Sequence, residues 1–82
     1  MLNVLFFAQV RELTGTDRLA LDTDDYADVE ALRLALCARG DRWALALERG
    51  KLLAAVNQSL VEMNHPLRAG DEVAFFPPVT GG

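Results

Sequence analysis

The group in this chain best suited to do chemistry lies at its end. The sequence closes on Phe75-Phe76-Pro77-Pro78-Val79-Thr80-Gly81-Gly82. Neither of the last two residues carries a Cβ, so their backbone passes through a channel too narrow for any other dipeptide. The group offered at the tip is the α-carboxylate of Gly82, which is ionised at neutral pH with an ordinary pKa of about 3.3 to 3.7 and is a competent nucleophile toward an activated phosphate. Pro77 and Pro78 each fix φ, and they push Phe76 and Pro77 out of the helical region. The segment is therefore expected to leave the body as a stiff extended arm, which lowers the ordering cost of entering a partner's channel. The bland alternative is a frayed glycine end.

The other chemistry-bearing side chains read as structural. Cys37 lies in a helical stretch with no histidine near it in sequence, and lone cysteines of this kind are mostly buried fillers. His65, the single histidine, sits in an Asn-His-Pro turn, which is poor company for a metal site. Asp24, Asp25 and Asp28 are spaced as a loop feeding a helix N-terminus, where acids also favour the helix dipole. Trp43 beside Arg42 suggests base stacking, but in an acidic chain it is better read as an anchor for a short helix. No phosphate loop, dinucleotide fingerprint, zinc-protease motif or triad-like grouping is present. The body thus shows no catalytic apparatus and no metal set.

Length and composition narrow the classes further. A chain of 82 residues makes one small domain that buries somewhat more than roughly 60% of its unfolded surface. It can build one core but hardly a deep active site of its own. An apolar fraction of 51% with 24% charged residues is that of an ordinary globular protein and argues against disorder. Eight basic residues against twelve acidic ones give a net charge of -4. The basic residues are scattered, so nucleic-acid binding has no electrostatic footprint. One cysteine makes no internal disulfide and fits a reducing compartment. The N-terminus lacks the marks of a signal peptide, and no apolar run reaches the ~18 residues of a membrane span. The expectation is a cytoplasmic protein with no membrane partner.

The positioning elements follow from periodicity. Leu2 to Ala8 reads as a strand with Leu2, Val4, Phe6 and Ala8 on one face and Asn3, Leu5 and Phe7 on the other. Gln9 to Leu13 forms a short helical turn ending before Gly15, and Arg18 to Thr23 alternates as a second, hairpin-like strand. Asp28 is an N-cap for the main helix, whose inner stripe is Val29, Leu32, Leu36 and Cys37, with Glu30, Arg33 and Arg39 off the stripe. Gly40 is read as the left-handed residue that ends it. Arg42 to Glu48 predicts a short second helix stopped by Gly50. Strands follow at Leu52 to Val56, Leu60 to Met63 and Glu72 to Phe76, with turns at Asn57-Gln58-Ser59, Asn64-His65-Pro66 and Gly70-Asp71. One main helix covers one face of a sheet, which leaves Phe7 and Phe76 on the other. They form either a partner-binding patch or a surface covered by loops or the short helix.

Four stretches together carry a resemblance. Leu5-Phe6-Phe7-Ala8-Gln9-Val10-Arg11-Glu12-Leu13, Asp41-Arg42-Trp43-Ala44-Leu45-Ala46-Leu47-Glu48, Ala55-Val56-Asn57-Gln58, and Gly70 through to Gly82 closely resemble the small, sulfur-carrier subunits of molybdopterin synthase. The likeness covers nearly the whole chain, and Arg18 to Asp28 is its least distinctive part. It implies an α+β, ubiquitin-like β-grasp fold over residues 1–76: a mixed sheet packed on one main helix plus a short second helix. The first and last strands would be parallel and adjacent at the centre. Residues 77–82 would be an extended reactive tail.

The resemblance also implies the chemistry. An adenylating enzyme related to the ubiquitin-activating enzymes uses ATP on the Gly82 carboxylate, and sulfur then replaces AMP to give a thiocarboxylate. The tail enters the large subunit of molybdopterin synthase and donates sulfur to cyclic pyranopterin monophosphate, forming the dithiolene. Gly81 is then the channel-fitting neighbour, while Pro77, Pro78, Val79 and Thr80 lie in the partner's entrance. Phe7, Leu60 and Phe76 form an apolar docking face. The assembly implied is a 2:2 heterotetramer, in which this chain is a sulfur donor with no catalytic base and no bound cofactor. Two rival roles share the terminal chemistry: a sulfur carrier for the thiazole of thiamin, and a ubiquitin-like protein modifier.

Overall fold

The first strand, β1 (Leu2–Phe6), keeps the expected alternation, with Leu2, Val4 and Phe6 buried and Asn3 exposed. The structure is a computed structural model that describes residues 1–48, 50 and 52–78. The strand stops at Phe6, short of Ala8, because the carbonyl of Phe7 accepts hydrogen bonds from the N–H groups of Val10 and Arg11 and so opens a helix. That helix, α1 (Ala8–Thr14), is longer than the expected turn and ends on Gly15 in the left-handed conformation at φ 67°. Strand β2 (Arg18–Leu21) then returns antiparallel to β1.

Asp22 caps a 3-10 turn at Thr23–Asp25, its carboxylate accepting from the N–H of Asp24. The main helix, α2 (Val29–Cys37), begins where expected, with Asp28 Oδ1 accepting from the N–H of Ala31 at 2.8 Å. Two further helix-opening N–H groups are satisfied from outside, Val29 donating to the His65 carbonyl and Glu30 to that of Met63. The reading of Gly40 needs correction. The end of α2 is capped by right-handed Ala38, and Gly40, extended at φ 161°, instead precedes α3 (Asp41–Ala46) and accepts from the N–H of Ala44. A single glycine between two helical patterns carries either role, and here the second helix claims it.

Strand β3 (Leu53–Val56) is followed by Asn57 and Gln58, both left-handed at φ 51° and 70°. Such a pair makes the tight hairpin turn that suits strand twist. It leads directly into β4 (Ser59–Val61), one residue earlier than expected, and after Gly70 the chain enters β5 (Glu72–Phe76). The described strands form one sheet in the order β2-β1-β5-β3-β4. β1 and β5 are parallel, with Val4 opposite Val73 and Phe6 opposite Phe75, and the other pairings are antiparallel.

On the inner face Phe6 and Phe75 stack at 6.3 Å, and Trp43 meets Phe6 in a T-shaped contact at 5.5 Å and 83°. Trp43 thereby ties α3 to the sheet, as an anchor for the short helix would. Val29, Leu32 and Leu36 of α2 complete this core. Arg33, expected off the stripe, is only 6% exposed. Its Nε and Nη2 bind the Glu30 carboxylate at 2.6 and 3.1 Å, and Nη1 donates to the Leu47 carbonyl at 2.9 Å. The hydrogen bond to Glu30 is the main cause holding this guanidinium above its already high ordinary pKa. The side chain thus ties α2 to the residue that ends α3.

Removing Arg33 strands a buried carbonyl while leaving the part-exposed Glu30 able to rehydrate. Arg33→Ala is therefore expected to lower stability by about 1–3 kcal/mol in urea titrations. A second expectation concerns the turn before β5. Asp71 accepts from the Arg68 N–H and from the Asn57 side chain, each at 2.9 Å, and these two bonds, in that order, hold its carboxyl below the ordinary carboxylate value. Such a group adds stability that is full above its unfolded pKa of about 4 and is lost as pH falls through the lower folded value. Urea midpoints are expected to fall for the wild type below about pH 4. Asp71→Asn flattens that part of the profile.

Candidate functional site

The exit of β5 places the candidate site. Phe75 is fully buried, Phe76 half-buried, Pro77 half-buried and Pro78 exposed, so the chain emerges from the middle of the sheet within a few residues. The expected channel residues Val79, Thr80, Gly81 and Gly82 lie outside the described residues.

Beside this exit, the register of the sheet collects apolar side chains on the outer face. Opposite pairs share a face, so Leu5, Ala74, Ala55 and Leu60 form a row across four strands. Arg18 continues that row onto β2. One step toward the exit, Leu53 pairs with Phe76. Phe7 follows the Phe6–Phe75 pair and so comes level with Phe76. Phe7 is 46% exposed and Leu60 68%, while Phe76 and Leu53 are half-buried. The three residues named from the sequence thus share one face, next to the chain's exit. Leu53 was missed, although period two from buried Ala54 would have set it there. An apolar set of this kind at the surface marks an interaction site more often than chance exposure does.

The remaining candidates are held in structural roles. Cys37 Sγ lies 3.8 Å from both Arg33 Nη1 and the Leu47 carbonyl oxygen. His65 contributes its carbonyl to the start of α2. Asp28 caps α2, whereas Asp24 and Asp25 stand exposed in the 3-10 turn. Among the described residues no three His, Cys, Asp or Glu side chains stand together as a metal site. No described helix is long and apolar enough to cross a membrane. An open groove of about 540 Å³ runs between α1 and α3, with Val10, Leu13, Leu45 and Pro77 among its walls. Among the described residues its polar lining, Gln9, Glu12, Arg42 and Glu48, offers no nucleophile paired with a base.

A mixed sheet packed on one main helix, with first and last strands parallel inside it and the C-terminal segment running off β5, defines a ubiquitin-like β-grasp protein. A family model described as the ThiS family matches residues 4–82. The molybdopterin synthase sulfur carrier subunit of Escherichia coli (strain K12) is 68% identical over 82 residues, covering 100% of both chains. The human protein of the same description is 33% identical over 96% of this chain and 91% of its own. Among solved structures, SAMP1 from Haloferax volcanii matches with a TM-score of 0.75 at 27% identity, over 99% of this chain and 98% of that one. A complex of subunits 1 and 2 of molybdopterin-converting factor from Helicobacter pylori 26695 contains a chain that matches with a TM-score of 0.68 at 27% identity, over 99% and 97%. The chain belongs to the ThiS family.

Proposed function

We propose that this chain is a sulfur carrier of molybdopterin synthesis, loaded and unloaded at the carboxyl group of Gly82. The observation that carries the reading is the 68% identity over full length with a relative of that description. The geometry supports it, because the chain leaves the central strand beside an apolar outer face, so a docked partner would receive the arm at a fixed place and direction.

In the proposed cycle an activating enzyme brings ATP, and a Gly82 carboxylate oxygen attacks its α-phosphorus with loss of pyrophosphate. The resulting acyl adenylate is electrophilic where the carboxylate was not. A sulfur nucleophile supplied by a persulfide attacks the carbonyl carbon, and AMP departs. A thiol then attacks the sulfur of the persulfide's carrier, forming a disulfide with it and releasing the thiocarboxylate. That sulfur, anionic at neutral pH, is then the nucleophile toward cyclic pyranopterin monophosphate in the large subunit. Two sulfurs make one dithiolene, so two loaded carriers act in turn, in keeping with a proposed 2:2 assembly. General acid, general base and substrate contacts belong to the large subunit, and the process belongs in the cytoplasm, where ATP and reduced sulfur are at hand.

A second reading has an observation in its favour. SAMP1 of H. volcanii, which superposes closely, is described as a small archaeal modifier protein, and a modifier would pass Gly82 to a lysine in an isopeptide bond. Denaturing gels of cell extracts separate the two: covalent adducts that survive thiols are expected only of the modifier.

Incubation of the purified chain with the activating enzyme, ATP and a sulfur donor is expected to raise its intact mass by about 16 Da, the exchange of one oxygen for sulfur. No gain under conditions that load the E. coli relative refutes the carrier role. Deleting Gly82 is expected to abolish sulfur transfer while leaving the unfolding midpoint unchanged. The outer face has its own test. Phe76→Arg places a charge in the apolar patch and is expected to weaken binding to the large subunit at least tenfold, with little change in stability. Unchanged affinity in calorimetry excludes this face as the docking surface.

A further inference from the structure

Three described residues other than glycine have positive φ: Ala8 at 53°, Asn57 at 51° and Gln58 at 70°. The last two form the β3–β4 turn, where the left-handed region is what a tight hairpin requires. Ala8 has no hairpin to explain it. An L-residue with a Cβ is strained there, and asparagine, aspartate or glycine is the usual occupant. Strain of this kind persists only where the surroundings over-determine it, and it clusters where function needs a fixed geometry.

The surroundings of Ala8 supply that over-determination. The N–H of Phe7 donates to the Phe75 carbonyl at 3.3 Å, adding a rung to the β1–β5 pairing, while its own carbonyl accepts from Val10 at 3.1 Å and Arg11 at 3.4 Å as the first turn of α1. Phe7 itself is plainly extended, at φ -127° and ψ 156°. Strand and helix thus meet with Phe7 alone between them, and Ala8, the first residue of α1, absorbs the change of direction. The result is that the Phe7 ring stands 46% exposed on the outer face while Phe6 is 1% exposed in the core.

We propose that left-handed Ala8 is a positioning residue: it holds the Phe7 backbone between strand and helix and so sets where the side chain stands on the outer face, level with Phe76, for the large subunit to bind. This rests on the docking face proposed above. The backbone that carries the ring is fixed before binding, which spares the partner that part of the ordering cost.

The test is a double-mutant cycle read by calorimetry against the purified large subunit, with stability followed separately by urea unfolding. Ala8→Gly and Ala8→Asn accept positive φ and are expected to bind within about threefold of wild type, whereas Ala8→Val, which does not, is expected to bind about tenfold or more weakly. In a Phe7→Ala background, Ala8→Val is expected to add less than about twofold, because no ring remains to be positioned. If the valine variant does not fold, Ala8→Leu, bulky but not β-branched, carries the same cycle with an expected loss of about tenfold or more. Wild-type affinity for the folded variant, or a loss that persists undiminished in the Phe7→Ala background, overturns the positioning role. In those cases Phe76→Arg and Phe7→Ala still report whether the docking face stands. If neither of these two weakens binding, the docking face falls and the role of Ala8 falls with it.

Discussion

The parallel pairing of β1 with β5 is the constraint on which the rest of the molecule depends. Parallel strands cannot be joined by a hairpin, so everything between them is in effect one long crossover. Joining residues so far apart in the chain costs loop entropy that local contacts cannot offset. The return comes from burial along the seam, where Leu2, Val4, Phe6, Val73 and Phe75 are all within 1% of complete burial. Trp43 braces the seam from α3, and α2 closes over it, held to the end of α3 by Arg33.

That arrangement also decides where the molecule meets other molecules. Because β5 lies inside the sheet, its exit is gripped on both sides, by β1 through Phe6–Phe75 and by β3 through Leu53–Phe76. An arm leaving an edge strand would swing with every fraying of that edge. Here its root is as fixed as the core. The same register sets Leu60, Phe76 and Phe7 on a common outer face, so the place where the chain leaves the sheet and the apolar face beside it arise from one set of strand pairings.

The legible parts of the sequence were those with local causes. Asp28 announced the start of α2 because a cap is decided by its own side chain and the next turn. Alternation in Glu72 to Phe76 placed Val73 and Phe75 inward because a strand's period is local too. Phe7, Phe76 and Leu60 were named in advance, the first two from surplus apolar residues on the wrong side of a strand. Illegible were the features set at a distance. Arg33 looked like a surface residue because the carbonyl that makes its burial tolerable belongs to Leu47, in the next helix. Gly40 was misassigned since the fold, not the residue, chooses which helix it serves. The left-handed state of Ala8 had no signal at all, for alanine is not among the residues that favour positive φ.

The position of β5 has a consequence for how the protein is made. Until the strand in the middle of the sheet is synthesised, β1–β2 and β3–β4 are two separate antiparallel pairs, each marginal on its own. A chain interrupted before residue 72 has no seam to close and no outer face to offer. Translation therefore cannot release a folded body that lacks the strand from which the C-terminal segment extends.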